Sequence, residues 1–147
     1  MGRASTYFWS MKKIVKILYW PARILAALIL VQTLYFKFTA SEESVFIFTT
    51  VGLEPWGRIG IGILELIAGL MLLVNTTAWL GAVLALGLMV GAIGMHLTML
   101  GISILDDGGY LFFLAVIVAF CSTLILWINK DKIISMARHL TTRAQHS

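Results

Sequence analysis

A carboxylate lies in the middle of one of the most apolar stretches of this sequence. Glu65 is flanked by glycine and aliphatic residues in GRIGIGILELIAGLMLLV, and Lys37, Arg58 and His96 also lie in or beside apolar runs. A carboxylate near an imidazole can accept and pass on a proton close to neutral pH. Cations can hold anionic or carbonyl oxygens. These residue types therefore indicate a site that binds a polar group or moves a proton.

The composition places these residues in a membrane. The chain has 147 residues, of which 60% are hydrophobic and only 12% are charged, whereas a soluble domain has about 25% charged residues. We predict an all-α fold, an integral membrane four-helix transmembrane bundle with short interfacial helices, forming a single membrane domain over residues 1–147. Each predicted span is long enough to cross about 30 Å of hydrocarbon. The spans are 21–38, 58–74, 78–100 and 110–128.

Segments outside the spans also have helical patterns. The first connection contains SEESVFIFTTVGLEPWG, which begins with capping residues and ends in a glycine and proline turn, so we expect a short helix on the outer surface. The tail 129–147 is predicted to be a cytoplasmic amphipathic helix. Pro21 suits the first helical turn of the first span. Glycines such as those of GLMVG, 87–91, are interpreted as contacts within the bundle, with contacts to another subunit as the alternative.

The distribution of charge predicts the orientation of the bundle. Basic residues concentrate before the first span and after the fourth, whereas the acidic residues lie mainly in the first and third connections. By the positive-inside rule, both termini are cytoplasmic. The net charge of +4 then reflects topology and attraction to anionic lipid. The expected partner is therefore the lipid bilayer, and nucleic acid is excluded.

The titratable residues of the spans converge on the outer half of the membrane. Glu65 lies about 10 Å inside the second span, and Arg58, two turns earlier, shares its helix face. Lys37 ends the first span, His96 lies about 25 Å along the third, and Asp107 precedes the fourth. Ionisable groups at such depths are costly unless they face inward and pair. We therefore predict a polar pocket open to the outside.

Two interpretations of this pocket stay open. In one, Glu65 pairs with Arg58 or His96, and the cluster only holds the helices in register. In the other, Glu65 and His96 are catalytic and handle a proton. Lys37, Arg58 and Asp107 would then be the ligand-binding residues.

Metal and thiol chemistry have less support in the sequence. Met95, His96 and Met99 include soft ligand types that suit copper, but no second histidine lies within a span. The same count argues against a haem with two axial histidines, and we predict no metal site. Cys121 is the only cysteine, so disulfide exchange within the chain is excluded. Its predicted role is that of a small apolar filler.

Four segments taken together resemble the DoxX-like family. They are YFKF in the first span, GLEPWGRIGIGILELIAGLMLL in the second, GAIGMHLTMLGI in the third and DDGGYLFFLAVIV at the start of the fourth. The resemblance covers about residues 21–128. It implies a four-helix bundle in the bacterial inner (plasma) membrane with links to redox and sulfur metabolism. Relatives include the quinone-reducing subunit of thiosulfate oxidation. The fold is also similar to that of vitamin K epoxide reductases, but this chain lacks their cysteine pairs.

From the residues and the resemblance together, we expect a redox-associated membrane protein whose outer pocket binds a quinone or similar small molecule. The sequence offers no electron carrier of its own, so a larger membrane oxidoreductase complex is the expected partner. One alternative is a non-catalytic accessory or assembly subunit with a structural polar cluster. The other is a small proton-coupled transporter that works as a homo-oligomer.

Overall fold

The computed structural model describes residues 3–135 and 138 of the chain. Within this part of the chain the regular structure is helical, and no strand occurs. The all-α prediction is therefore confirmed. The elements are α1 (Arg3–Phe38), α2 (Glu42–Thr50), α3 (Trp56–Leu73), α4 (Ala78–Met95), a π-helical turn (His96–Leu100) that continues α4, and α5 (Tyr110–Ile128).

Among the described residues, four helical segments are long and apolar enough to cross a membrane. They are Ile17–Phe38, Trp56–Leu73, Ala78–Leu100 and Tyr110–Ile128. These segments agree with the predicted spans, except that the first begins four residues earlier than expected. The chain is therefore a multi-pass membrane protein whose apolar helices suit a lipid bilayer.

The helix α1 runs through Pro21 without a break, which differs from the prediction that Pro21 lies in a first helical turn. Proline has no N–H and leaves the carbonyl of Ile17, four residues earlier, without its helical partner. Transmembrane helices tolerate such a loss because neighbouring helices and side chains compensate for it. Ala22, the next residue, and Ala26, one turn further on, are buried, so contacts with the bundle hold this part of α1.

The four spanning helices form a closed ring in chain order. α1 packs against α3, α3 against α4, α4 against α5, and α5 against α1. The short connection 74–77 makes α3 and α4 antiparallel neighbours. Small side chains fill much of the shared core, because close backbone approach supplies the packing energy in lipid. They include Ala26, Ala27, Ala68, Ala82, Ala85 and Ala115.

The glycines divide into two groups with different surroundings. A Cβ on Gly81 would lie 2.8 Å from the backbone nitrogen of Leu72 and 3.0 Å from the carbonyl oxygen of Ala68. Gly81 therefore sets the close approach of α3 and α4. A Cβ on Gly87 or Gly91 would meet nothing within 4 Å. The expectation that the GLMVG glycines pack within the bundle was wrong, because these two positions lie on its exposed surface.

A fully buried arginine closes the end of the bundle opposite α2. Arg23 donates from Nε to the carbonyl oxygen of Leu72 at 2.6 Å and from Nη1 to Oδ1 of Asn75 at 2.6 Å. Its guanidinium lies 4.2 Å from the centroid of the Trp20 ring. In the structure it binds the last turn of α3, where carbonyl groups lack helical partners.

Two interfacial helices were predicted, and the structure describes the first fully and the second only in part. The helix expected in the first connection is α2, which Ser41 caps by accepting a hydrogen bond from the backbone N–H of Ser44 at 3.3 Å. Ser44 and Phe48 bury one face of α2 against the bundle. Of the predicted tail 129–147, residues 130–135 are helical. Most of the remainder lies outside the described residues.

Candidate functional site

A cavity of about 220 Å³ lies at the α2 end of the bundle. Its walls are mostly aliphatic and aromatic, and they include Leu30, Phe36 and Leu88. All five α-helices contribute to it. The polar groups on its lining are Thr33, Lys37, Ser41, Glu43, Ser44, Glu65, His96, Asp107 and Tyr110. Four of the five predicted site residues, Lys37, Glu65, His96 and Asp107, therefore border one cavity.

The carboxylate of Glu65 pairs with Lys37. The Nζ atom of Lys37 lies 2.9 Å from Oε2 of Glu65, and only 5% of the Glu65 side chain is exposed. Thr33 donates from Oγ1 to the same oxygen at 3.2 Å. Glu65 was expected to pair with Arg58 or His96, and that expectation was wrong. Lys37 lies in the last turn of α1, so its long side chain reaches a glutamate on the neighbouring helix α3.

Arg58 has other partners and does not line the cavity. Its Nε lies 2.9 Å from both carboxylate oxygens of Glu54, and its Nη2 lies 2.7 Å from Oε1. Its Nη1 donates to the carbonyl oxygen of Lys37. Cations are favourable at helix C-termini, where carbonyl groups lack helical partners. Arg58 therefore fixes the end of α1 against the start of α3, and so positions Lys37 for its contact with Glu65.

His96 begins the π-helical turn at the end of α4. Its Nδ1 lies 2.8 Å from the carbonyl oxygen of Gly101. A carbonyl oxygen only accepts, so Nδ1 carries the hydrogen, and Nε2 of the neutral ring is an acceptor. The ring of Phe112 contacts the imidazole edge-on at a centroid distance of 5.6 Å. Single π-helical turns occur frequently at functional sites, and this one places a buried imidazole on the cavity lining.

Asp107 organises the loop that precedes α5. Its Oδ1 accepts hydrogen bonds from the backbone N–H groups of Ile104 and Gly109, both at 2.8 Å, and its Oδ2 accepts one from Leu111 at 3.0 Å. Burial raises the pKa of Asp107, but the hydrogen bonds from these amides and from the Ser103 side chain outweigh it and lower the pKa below its ordinary value. Asp107 is thus an ionised cap of α5 that also borders the cavity.

Sequence reasoning missed several polar groups of the lining. Tyr110 accepts a hydrogen bond from Nε2 of Gln32 at 2.9 Å, which leaves its own hydroxyl hydrogen available to donate. Thr33 lies one turn before Lys37, and the spacing of four residues could have placed it on the same face. Glu43 and Ser44 belong to α2. Nothing in the sequence indicated that this helix lines the cavity.

The residues considered for copper do not come together. Met95 and His96 line the cavity, but the side chain of Met99 is 57% exposed on the outside of the bundle. With Met89, the cavity has two thioethers, and beside them lie one imidazole and a carboxylate–lysine pair. The rest of the lining is mostly apolar, with a few polar groups.

Fold and cavity together define a class of protein, a small multi-pass α-helical membrane protein with a polar group of side chains in a cavity at one end of its bundle. The model of the DoxX-like family matches residues 22–123. This range is more than half of the chain, so the protein belongs to the DoxX-like family, and the resemblance predicted from the sequence is confirmed. Neither a curated protein nor a solved structure matches the chain.

Proposed function

We propose that this protein is redox-associated and that its cavity binds a quinone or a similar small ring molecule. The single observation that carries the proposal is the mixed lining of the cavity. Apolar side chains from every helix surround it, while Lys37, Glu65 and His96 supply a cation, a carboxylate and an imidazole. A flat apolar ring with polar substituents matches such a lining.

The size of the cavity supports a ligand with one ring. A cavity of about 150 Å³ in a protein core accommodates benzene, and this cavity measures about 220 Å³. One substituted ring therefore fits, whereas a long isoprenoid tail would have to extend between the helices or into lipid. The neighbouring side chains Phe36, Ile47 and Leu111 provide apolar contacts for ring substituents.

The polar residues of the lining have separate roles in this proposal. A bound quinone would supply two-electron, two-proton chemistry. Glu65 and His96 would take up and release the proton, because a carboxylate oxygen and an imidazole nitrogen are both proton acceptors. Lys37 uses one of its N–H groups for Glu65 and has others to donate to a ligand oxygen. Arg58 acts through Lys37, as a positioning residue.

The proposal includes an inner-membrane location with both termini in the cytoplasm and the cavity towards the periplasm. The distribution of charge supports this orientation. Glu43, Glu54 and Asp107 lie at the α2 end, whereas Lys130 and Lys132 follow α5 at the opposite end. Excess lysine and arginine marks cytoplasmic ends.

We further propose that a partner protein supplies or removes the electrons. The chain contains one cysteine, Cys121, and its spans contain one histidine, His96. One cysteine is too few for an iron–sulfur cluster held by four thiolates. One histidine is too few for a haem with two axial histidines. A larger membrane oxidoreductase complex is the corresponding partner.

Native mass spectrometry of the protein released gently from its own membrane tests the proposal. We expect a quinone to remain bound to the bundle, and the bound fraction to fall in Glu65→Gln. The matched control is Glu42→Gln, because Glu42 is an exposed neighbour of the cavity-lining Glu43 and does not border the cavity. Absence of any ring ligand, together with no binding of added duroquinone or of its reduced form, durohydroquinone, would contradict the proposal.

A non-catalytic accessory subunit is the second candidate. The observation that favours it is the pairing of Lys37 with Glu65, since the two charges neutralise each other and link α1 to α3. Under this alternative, Glu65→Gln would alter assembly with a membrane complex and leave ligand content unchanged. Recovery of the protein only within a stoichiometric complex, without a ring ligand, would support it.

A further inference from the structure

Two acceptor atoms at the polar end of the cavity have no hydrogen-bond partner among the described residues. Both contacts to Glu65 fall on Oε2, so Oε1 has no hydrogen-bond partner among the described residues. The Nδ1 atom of His96 donates to Gly101, and Nε2 has no partner within the same part of the chain. A carboxylate oxygen and an unprotonated imidazole nitrogen only accept hydrogen bonds. These two atoms therefore require a ligand that donates.

The charges on the cavity lining also favour a ligand that donates hydrogen bonds. Among the described residues, the cavity is bordered by three carboxylates and one lysine: Glu43, Glu65, Asp107 and Lys37. The lysine is already paired with Glu65, and Arg58, the other nearby cation, is bound to Glu54. Because electrostatic complementarity governs specificity, this lining disfavours anionic ligands. A ligand that presents hydrogen atoms to the carboxylates is favoured.

The donors of the cavity suit a hydroxyl group as well. Tyr110 has its hydroxyl hydrogen available because its oxygen accepts from Gln32, and Lys37 has N–H groups beyond the one directed at Glu65. A ligand hydroxyl can accept from such donors while it donates to a carboxylate or an imidazole. A quinone carbonyl can use only the donors. Beside Glu65 and His96, the oxygen of a quinone carbonyl would face a carboxylate oxygen and an imidazole nitrogen that also only accept. Neither side could then form a hydrogen bond, and unpaired buried polar groups are costly.

From these contacts we infer that the cavity selects the reduced, dihydroxy form of a single-ring quinone over the oxidised form. This inference rests on the proposed function, because it specifies which form of the ring ligand occupies the same cavity. The ring hydroxyls donate to Oε1 of Glu65 and Nε2 of His96, and accept from Lys37 and Tyr110. Binding of the reduced form involves no transfer of electrons, so it can be measured on the isolated protein.

The test compares matched ligands on the full chain in lipid nanodiscs without oxygen. Durohydroquinone and duroquinone differ only in their redox state. Hydroquinone and 1,4-dimethoxybenzene share a ring and differ in whether the oxygens can donate. We expect each dihydroxy compound to bind about tenfold more tightly than its partner, as one hydrogen bond to a charged or strongly polar acceptor provides. Isothermal titration calorimetry gives both dissociation constants.

Variants of Glu65 and His96 test whether these two acceptors cause the preference for the dihydroxy form. Glu65→Gln and, independently, His96→Phe should each reduce the ratio of the two affinities, while Glu42→Gln keeps it. The phenylalanine preserves a ring beside Phe112, and two separate variants guard against a folding defect in either. Equal affinities, or tighter binding of duroquinone, would overturn this inference and leave the proposed function in place. Failure of all four compounds to bind would overturn the proposed function itself.

Discussion

Lys37 and Glu65 form an ion pair across the interface of α1 and α3, with Nζ 2.9 Å from Oε2. Lys37 comes from the last turn of α1, while Glu65 lies near the middle of α3. Arg58, two turns earlier on α3, binds the main-chain carbonyl of Lys37 and the carboxylate of Glu54. The C-terminal end of α1 is thus bound twice by α3. Arg58 contacts the backbone of Lys37, and Glu65 contacts the side chain of Lys37.

The ion pair should matter for stability mainly because removal of one partner leaves the other charge buried and unpaired. In Lys37→Met the carboxylate of Glu65 stays buried without a cation, so we expect a loss of about 3 kcal/mol in the free energy of unfolding. The double variant Lys37→Met, Glu65→Leu removes both charges and should recover most of that loss. Reversible unfolding in mixed micelles measures both. A double variant less stable than the single one would contradict the prediction.

The role of Arg58 depends on its planar, forked guanidinium. Arg58→Lys keeps the charge but cannot contact both Glu54 and the carbonyl of Lys37 in the same way. We expect it to lose about 1–3 kcal/mol of unfolding free energy and to weaken ligand binding, although Arg58 does not line the cavity. Hydrogen exchange at the end of α1 should increase. Lys132→Met removes an exposed cation beyond α5; it is the control and should change none of these three quantities.

Asp107 should make stability depend on pH in the acidic range. Its pKa is lower in the folded protein than in the unfolded chain, so its stabilising contribution is complete above the unfolded pKa of about 3.9. It is lost as the pH falls through the lower, folded value. Asp107→Asn should remove this part of the pH dependence and cost about 1 kcal/mol near neutral pH, as the loss of a helix cap does.

The neighbouring aspartate provides the matched control for that measurement. Asp106 is exposed and does not border the cavity. Asp106→Asn should therefore leave both the stability and its acid dependence close to those of the unmodified protein. Unfolding followed from pH 7 down to pH 3 distinguishes the two variants. An equal effect of both substitutions would show that the loop, and not the Asp107 carboxylate, responds to acid.

The two groups of glycines predict opposite responses to alanine. In Gly81→Ala the new methyl group would collide with the backbone of α3 at Leu72 and Ala68, so α3 and α4 must separate. We expect a loss of about 1–3 kcal/mol. In Gly87→Ala the methyl group enters open space, and stability should stay level or rise by up to about 1 kcal/mol. Thermal unfolding of the two variants in one detergent decides between these outcomes.

The sequence by itself determined the class of the protein and the depth of its polar groups. Apolar runs of sufficient length define spanning helices because a bilayer allows no unpaired backbone. Residue number along a helix then gives depth, at about 1.5 Å per residue. For this reason Lys37, Glu65, His96 and Asp107 could be predicted to lie in the same half of the membrane, and the structure places all four on one cavity.

Tertiary structure alone decided which of these groups meet. The position of a residue along its helix predicts how deep its side chain lies. Which side chains meet also depends on how the helix is rotated relative to its neighbours, and the sequence does not specify that rotation. Arg58 shares a face with Glu65 on α3, yet Glu54 and the end of α1 hold it, which leaves Lys37 to pair with the carboxylate. The same limit applies to Gly81 and Gly87. Both are small residues on one helix, and only the packing of α3 against α4 distinguishes the buried position from the exposed one.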